Sequence, residues 1–575
     1  MLTRLLNIKP NFSPARRDSL KIGAAIGASL LPIDRAQAQV AAPPVSDKAL
    51  PPSPPTEPFV EALPVRQPKQ PVASLSPEPQ ISRGVGEAGR ADHQRWAEFT
   101  PRKFYEIRVK EGQHSYHPQL PTQTIRGYDG IFPGPTIHAR YGEPILARIY
   151  NDLSPDLPGP GLPHISTHLH NLHNPSESDG FPMDWFNTAV AGPTLTGPGA
   201  YRDHRYPNCY AGYDQYPSTN GDPREALGTL WFHDHSDETT GANVYGGMVG
   251  LYLLFDEIDS GDENDPNPNA LRLPSGEFDV PLIFHDVQFD SGGYRFFDAL
   301  EPNGVLGDKY CVNGKVQPYF QVARRKYRFR MLNGSVARIY RFNLVNGRVN
   351  EAFSYIANDG NLLPAPLSVK TVQLGGAERA EIVIDFSKYP IGTQLFLVNR
   401  AEQVDGRGPT GKLLTPPAQI LRFDVVRDPA QPDMSRVPAA LRELPPINLA
   451  ESVRTRVFEF NRNNGAWAIN GELWNWRIPK ASPKRGTAEI WELRNTSGDW
   501  WHPIHIHFEE GRILTRNGIK PAAHEAGRKD VYLLAPGDVV RIFMRFRDFV
   551  GKYPMHCHNL THEDHAMMLR WDIVP

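Results

Sequence analysis

Val540-Arg541-Ile542-Phe543-Met544-Arg545-Phe546 alternates apolar and charged side chains, with Phe543 the one break. A period of two sends successive side chains to opposite faces of a pleated strand, so this stretch reads as a strand with one buried face. The period recurs upstream. Tyr105, Ile107 and Val109 alternate with Glu106, Arg108 and Lys110, and Tyr327, Phe329 and Met331 alternate with Arg328 and Arg330. Asn313-Gly314, Asn333-Gly334 and Asn470-Gly471 supply turn signals. The 575 residues include 48 Gly and 56 Pro, a load that breaks helix interiors and suits short strands with irregular connections. The expected fold is all-β, built of sandwiches or barrels. Polar, Pro-rich stretches near 258–275 and 428–445 divide the folded part into three pieces, 96–258, 270–428 and 440–575.

Sixty-two basic and 64 acidic side chains leave a net charge of −2, which gives no electrostatic reason for a nucleic acid or an anionic membrane as partner. Three cysteines cannot make a disulfide framework. No apolar run reaches the ~18 residues of a membrane-spanning helix. Residues 1–38 read as an export signal: Arg16-Arg17 resembles a twin-arginine pattern, Ile22 to Leu31 is modestly apolar, and Ala36-Gln37-Ala38 offers small residues for cleavage. The expected partner is the twin-arginine export machinery, and the expected location periplasmic or secreted. Residues 39–95 are Pro-rich, with twelve prolines between 41 and 80, and are expected to form a disordered linker.

Histidine is the informative residue type. Of 20 histidines, eight fall in four His-x-His pairs: His168/His170, His233/His235, His505/His507 and His556/His558. In a strand, i and i+2 share a face, so each pair sets two imidazoles side by side. One pair is weak, since a solvated face looks the same; four pairs, two near each end of the folded part, point to a metal site. In Met555-His556-Cys557-His558, alternation aims the Cys557 thiolate opposite to both imidazoles. One short covalent path thus links a thiolate site to a two-histidine site. His562 and Met567 follow, and His502 has the opposite parity to His505 and His507. A cysteine, two histidines and a distant methionine form the ligand set of a blue-copper site. Zinc needs only four ligands and structural zinc sites often use several cysteines, so ten histidines around one cysteine favour copper.

With these motifs the sequence resembles the multicopper oxidases, the laccase family, and most of all their bacterial spore-coat-laccase and bilirubin-oxidase branch. The resemblance spans about residues 100–575. It rests on Thr167-His168-Leu169-His170 with Asp179-Gly180-Phe181-Pro182, Trp231-Phe232-His233-Asp234-His235, His502-Pro503-Ile504-His505-Ile506-His507, and His556-Cys557-His558 continuing to His562 and Met567. It implies three cupredoxin-like Greek-key domains and four copper ions. His502, Cys557, His562 and Met567 would hold a type 1 copper, and His168 and His505 a type 2 copper. His170, His233, His235, His507, His556 and His558 would hold a type 3 pair.

Asn171 stands where the family usually has Gly, and His173 opens a second register, His170/His173, whose odd spacing breaks strand parity. The resemblance further implies that a reducing donor, phenolic or aromatic amine, gives single electrons at the type 1 copper. His562 is expected to turn a ring edge to solvent. Electrons would pass through Cys557 to His556 and His558, and O2 would be reduced to water at the cluster. Asp179 and Glu563 stand where this branch has acids that relay protons. Two alternatives are a metallo-oxidase acting on Mn(II), Fe(II) or Cu(I) and a copper-free envelope scaffold of the same fold. The filled ligand positions weigh against the scaffold. The stretch from Phe186 to Leu227 reads as a long loop, and Cys209 and Cys311 could pair.

Overall fold

The computed structural model describes residues 51–80, 86–156 and 161–575; the export signal read over residues 1–38 lies outside them. The strands sort into three successive pairs of sheets. In the first pair, Gln123–Tyr128, Lys103–His114, Ile145–Asn151 and Tyr201–Tyr206 form one sheet, and Thr136–Arg140, Val249–Phe255, Thr229–Asp234 and Thr167–His170 the other. Inward residues of both, among them Tyr105, Ile107, Val109, Leu230, Phe232 and Tyr252, make one buried core. The second pair uses strands between Asp279 and Arg427, around Phe284, Phe329, Phe342 and Phe423. The third lies between Ser452 and Ile573. There the strand Val539–Phe546 turns Val540, Ile542, Met544 and Phe546 into a core shared with Ile504, Tyr553 and Trp571 of the facing sheet, as its alternation requires.

Each pair repeats one device: its opening strand pairs in parallel with a later one. Lys103–Val109 lies beside Ile145–Asn151, Asp279–Phe284 beside Arg328–Asn333, and Ser452–Phe460 beside Ala488–Asn495. Parallel neighbours cannot be joined by a tight hairpin, so each domain is closed by crossing connections.

Two expectations need correction. The expected disordered linker over 39–95 is ordered chain in its described part. Phe59 and Leu63 N–H donate to Gln317 and Tyr319 carbonyls at 2.8 and 2.7 Å, Lys69 and Val72 to Thr136 and Phe104 at 2.8 Å, and Ala88 to Tyr201 at 2.8 Å. The prolines remove donors and hold the chain extended, and the remaining N–H groups cap carbonyls on the body. Composition argued from what a segment can bury alone, and this arm is ordered by edges that other segments supply. The stretch 186–227 likewise contains a strand, Tyr201–Tyr206, paired with Ile145–Tyr150. Cys209 and Cys311 are free, buried and in separate cores.

Candidate metal centre

The histidine pairs sit at strand ends where the first and third domains meet. Thr167–His170 pairs antiparallel with Thr229–Asp234, which sets His168 opposite His233. His502–Ile506 pairs with Gly551–Cys557, which sets His505 opposite His556 and Ile504 opposite Cys557. His562 stands on a short helix, Leu560–Asp564, whose N-terminus Asn559 caps by accepting from Thr561 N–H. All the His-x-His rings, with His502, Cys557, His562 and Met567, are buried.

Eight rings from the two domains converge. His235 Nε2 lies 3.2 Å from the Nε2 atoms of both His507 and His556, and those two lie 3.3 Å apart. His168 and His505 face each other through Nε2 at 3.4 Å. His170, His233 and His558 form the remaining trio, with ring centroids 5.4 to 5.9 Å apart.

On six of the eight rings Nδ1 faces an oxygen, whereas His170 and His558 have no hydrogen-bond partner at Nδ1 among the described residues. His507 Nδ1 donates to Asp179 Oδ2 at 2.7 Å. His556 and His235 present Nδ1 to the two oxygens of Glu563 at 2.8 and 3.1 Å. His168, His233 and His505 bond through Nδ1 to the backbone carbonyls of Asp179, Asp234 and Asp530. A neutral imidazole that donates from Nδ1 carries its lone pair on Nε2. Burial drives the proton affinity of His168, His170, His235, His505, His507 and His558 far below that of an ordinary histidine. The buried lone pairs of His168 and His505, and of His235 and His507, therefore point at one another without protons between them. That arrangement repels itself unless cations sit at the shared points, and the donor set fits metal ions.

Cys557 lies on the other side of the strand, as alternation requires. Its Sγ is 3.4 Å from His502 Nδ1 and 3.6 Å from His562 Nδ1, and those nitrogens are 3.1 Å apart. Here the rings are reversed. Nδ1 faces inward, while Ser497 Oγ holds His502 Nε2 at 2.7 Å and the Asn303 carbonyl accepts from His562 Nε2 at 3.1 Å. Met567 is packed in the same core, and its carbonyl accepts from Cys557 N–H at 3.1 Å. Burial pushes the Cys557 thiol's pKa up, against a donation from Asn559 N–H, so a thiolate here calls for a cation.

The expected solvent-facing edge of His562 needs correction, because the ring is fully buried. Trp467 packs against it with centroids 3.9 Å apart and the rings tilted by 35°, and the loop bearing Asn303, from the second domain, covers its outer nitrogen. His173 stands apart, bonded through Nε2 to Asp548 at 2.8 Å, which leaves His168/His170 as the pair at the cluster. Sequence reading missed Ser497, Asn303 and Asp530. Asp530 lies 3.5 Å from His170 Nε2 and takes a two-pronged contact from Arg379. No spacing rule points to these residues, since each is a single polar side chain brought in by tertiary packing.

Fold and centre together define a copper oxidase. Residues 446–575 match the multicopper oxidase family profile, and the chain belongs to that family: three cupredoxin-like domains and a copper-dependent oxidase that passes electrons from reducing donors to O2. It is 34% identical over 478 residues to a bilirubin oxidase of Albifimbria verrucaria, covering 81% of this chain and 75% of that protein. It is 32% identical over 521 residues to a laccase of Bacillus subtilis, covering 82% and 94%. Among solved structures, the multicopper oxidase McoA of Aquifex aeolicus superposes with a TM-score of 0.67 at 27% identity, covering 83% of this chain and 97% of that one.

Proposed function

We propose that the protein is a laccase-like oxidase that takes single electrons from organic donors, phenols or aromatic amines, beside Cys557 and reduces O2 at the histidine cluster. His502, Cys557, His562 and Met567 would hold the type 1 copper. His168 and His505 would hold the type 2 ion, and His170, His233, His235, His507, His556 and His558 the type 3 pair, four ions in all. Bound copper supplies the one-electron chemistry that lets single-electron donors serve a four-electron acceptor. The observation that carries this reading is the last strand of the centre. Cys557 there meets His502 and His562, and its neighbour His556 meets His235 and His507.

The chain's own part is to fix ring orientation and hold protons. Asp179 and Glu563 orient His507, His235 and His556 through Nδ1. Burial, reinforced by the nearby Asp184 charge, raises the proton affinity of Asp179, which suits it to deliver protons during O2 reduction. The test is copper content per chain, the intense blue band, and O2 consumed per phenol oxidised. A colourless, copper-loaded protein with Cys557 intact overturns the reading. Asp179→Asn is expected to keep its copper and slow turnover by ~10²-fold; an unchanged steady-state rate overturns the proton role.

We also propose export through the twin-arginine route to the periplasm or beyond, supported by Arg16-Arg17 and Ala36-Gln37-Ala38. Fractionation of cells carrying Arg16→Lys with Arg17→Lys tests it: retention inside supports export by this route, and unchanged delivery overturns it.

A further inference from the structure

The cover over His562 leads outward to a cationic aromatic surface. Asn303, half-buried, accepts from His562 Nε2 through its carbonyl and from Trp500 Nε1 through its side chain at 3.0 Å. Trp467, packed against His562, meets Trp500 edge-on with centroids 5.4 Å apart. The Arg462 guanidinium lies over both indoles, 4.0 Å from Trp467 and 4.3 Å from Trp500. Arg407 lies 4.9 Å from the Trp500 ring centroid. Trp500 and Arg462 are half-buried and reach the surface.

The charges here are unbalanced. Arg462 Nε and Nη2 are buried and have no hydrogen-bond partner among the described residues. Arg407 has Asp405 at 3.6 Å, with both side chains 46% exposed, a screened contact that neutralises little. Burial, and then the charge of Arg407, lower the proton affinity of Arg462. A half-buried guanidinium that lies on an indole face and has no ion pair among the described residues is a binding element for an oxyanion attached to a flat ring.

We propose that Trp500, Arg462 and Arg407 form the docking platform for the electron donor and select aromatic donors bearing a carboxylate or sulfonate. The ring lies on Trp500 and the anionic group meets Arg462, with Asn303 and Trp467, which contact both Trp500 and His562, between the donor and His562. The same two cations repel Mn(II), Fe(II) and Cu(I) from this surface. For a phenolic donor the balance is four ArOH and one O2 giving four ArO radicals and two waters, each phenol losing one electron and one proton. This deepens the laccase-like reading and rests on electrons being received beside Cys557.

The experiment uses the holoenzyme and two phenols, 2,6-dimethoxyphenol and its 4-carboxylate. With Arg462→Gln, the ratio of the KM of the carboxylate to that of the neutral phenol is expected to rise about tenfold, with Arg462→Lys partly restoring it. Tryptophan fluorescence titrated with redox-inert 4-methoxybenzenesulfonate gives a reading without turnover: quenching in the wild type, weakened by salt and by Arg462→Gln. An unchanged KM ratio, or sulfonate binding equal in wild type and variant, overturns the proposal. Sulfonate binding without oxidation of either phenol by blue enzyme would keep the platform and refute the laccase-like reading.

Discussion

The two sides of one strand treat histidine in opposite ways. At His168, His505 and His507 of the cluster, Nδ1 is tied to a carboxylate or carbonyl and Nε2 faces other rings, whereas His170 has Nε2 3.5 Å from Asp530. Around Cys557, Nε2 is tied to Ser497 and Asn303, and Nδ1 faces the sulfur. Strand alternation decides which side a ring is on. The oxygen behind the ring decides which nitrogen it offers. The supports also differ in strength: Asp179 and Glu563 can carry full charges, whereas a hydroxyl and an amide carbonyl carry partial ones.

The comparison breaks most sharply at Cys557. Cys557→Ser is expected to abolish the blue band and cut donor oxidation by ~10³-fold or more, while the cluster histidines keep their oxygen partners and their copper. Absorption spectra with copper analysis check this, and loss of copper from both places would show the two sides to be one cooperative unit. Glu563→Gln removes the charge behind two rings, His235 and His556, and is expected to weaken copper retention in the cluster by ~10- to 100-fold. Competition with a chelator measures it, with the blue band as internal control. Ser497→Ala acts on one ring through a neutral contact, so a shift of the blue band and a few-fold change in rate is expected, with the copper content preserved.

The last effect is on stability rather than turnover and concerns a buried histidine outside both regions. His285 has no hydrogen-bond partner on either ring nitrogen among the described residues, and burial lowers its pKa from 6.5 to about 3. Below pH 6.5 the unfolded chain binds this proton and the folded chain does not. The contribution of His285 to stability is therefore present above pH 6.5 and is lost as the pH falls toward about 3. His285→Gln should flatten the fall in stability between pH 6.5 and 4 by at most ~1.4 kcal/mol per pH unit. Urea midpoints at the two pH values test it, and an unchanged slope would mean the ring is protonated in the fold.

What could be read in advance follows from range. Val540 to Phe546 and the His-x-His pairs carry their geometry within a few residues, so strand, face and partner type were visible in the chain. The opposition of Cys557 to His556 follows from the same period. Ser497, Asn303 and Asp530 were invisible, because each reaches its histidine through loops or other strands that no local pattern encodes. The buried edge of His562 was misjudged for the same reason: its cover comes from Asn303, 259 residues away. The arm before Trp96 was misjudged because its order depends on strand edges it does not contain.

That arm also sets an order of events. Ser53 N–H donates to Asp308 at 2.8 Å across 255 residues, and Leu63 caps Tyr319. Although made first, the segment cannot seat until the middle third of the polypeptide has been synthesised and folded. It therefore fastens late, like a strap drawn over a packed case, and resistance of residues 51–80 to protease would mark a molecule whose downstream assembly is complete.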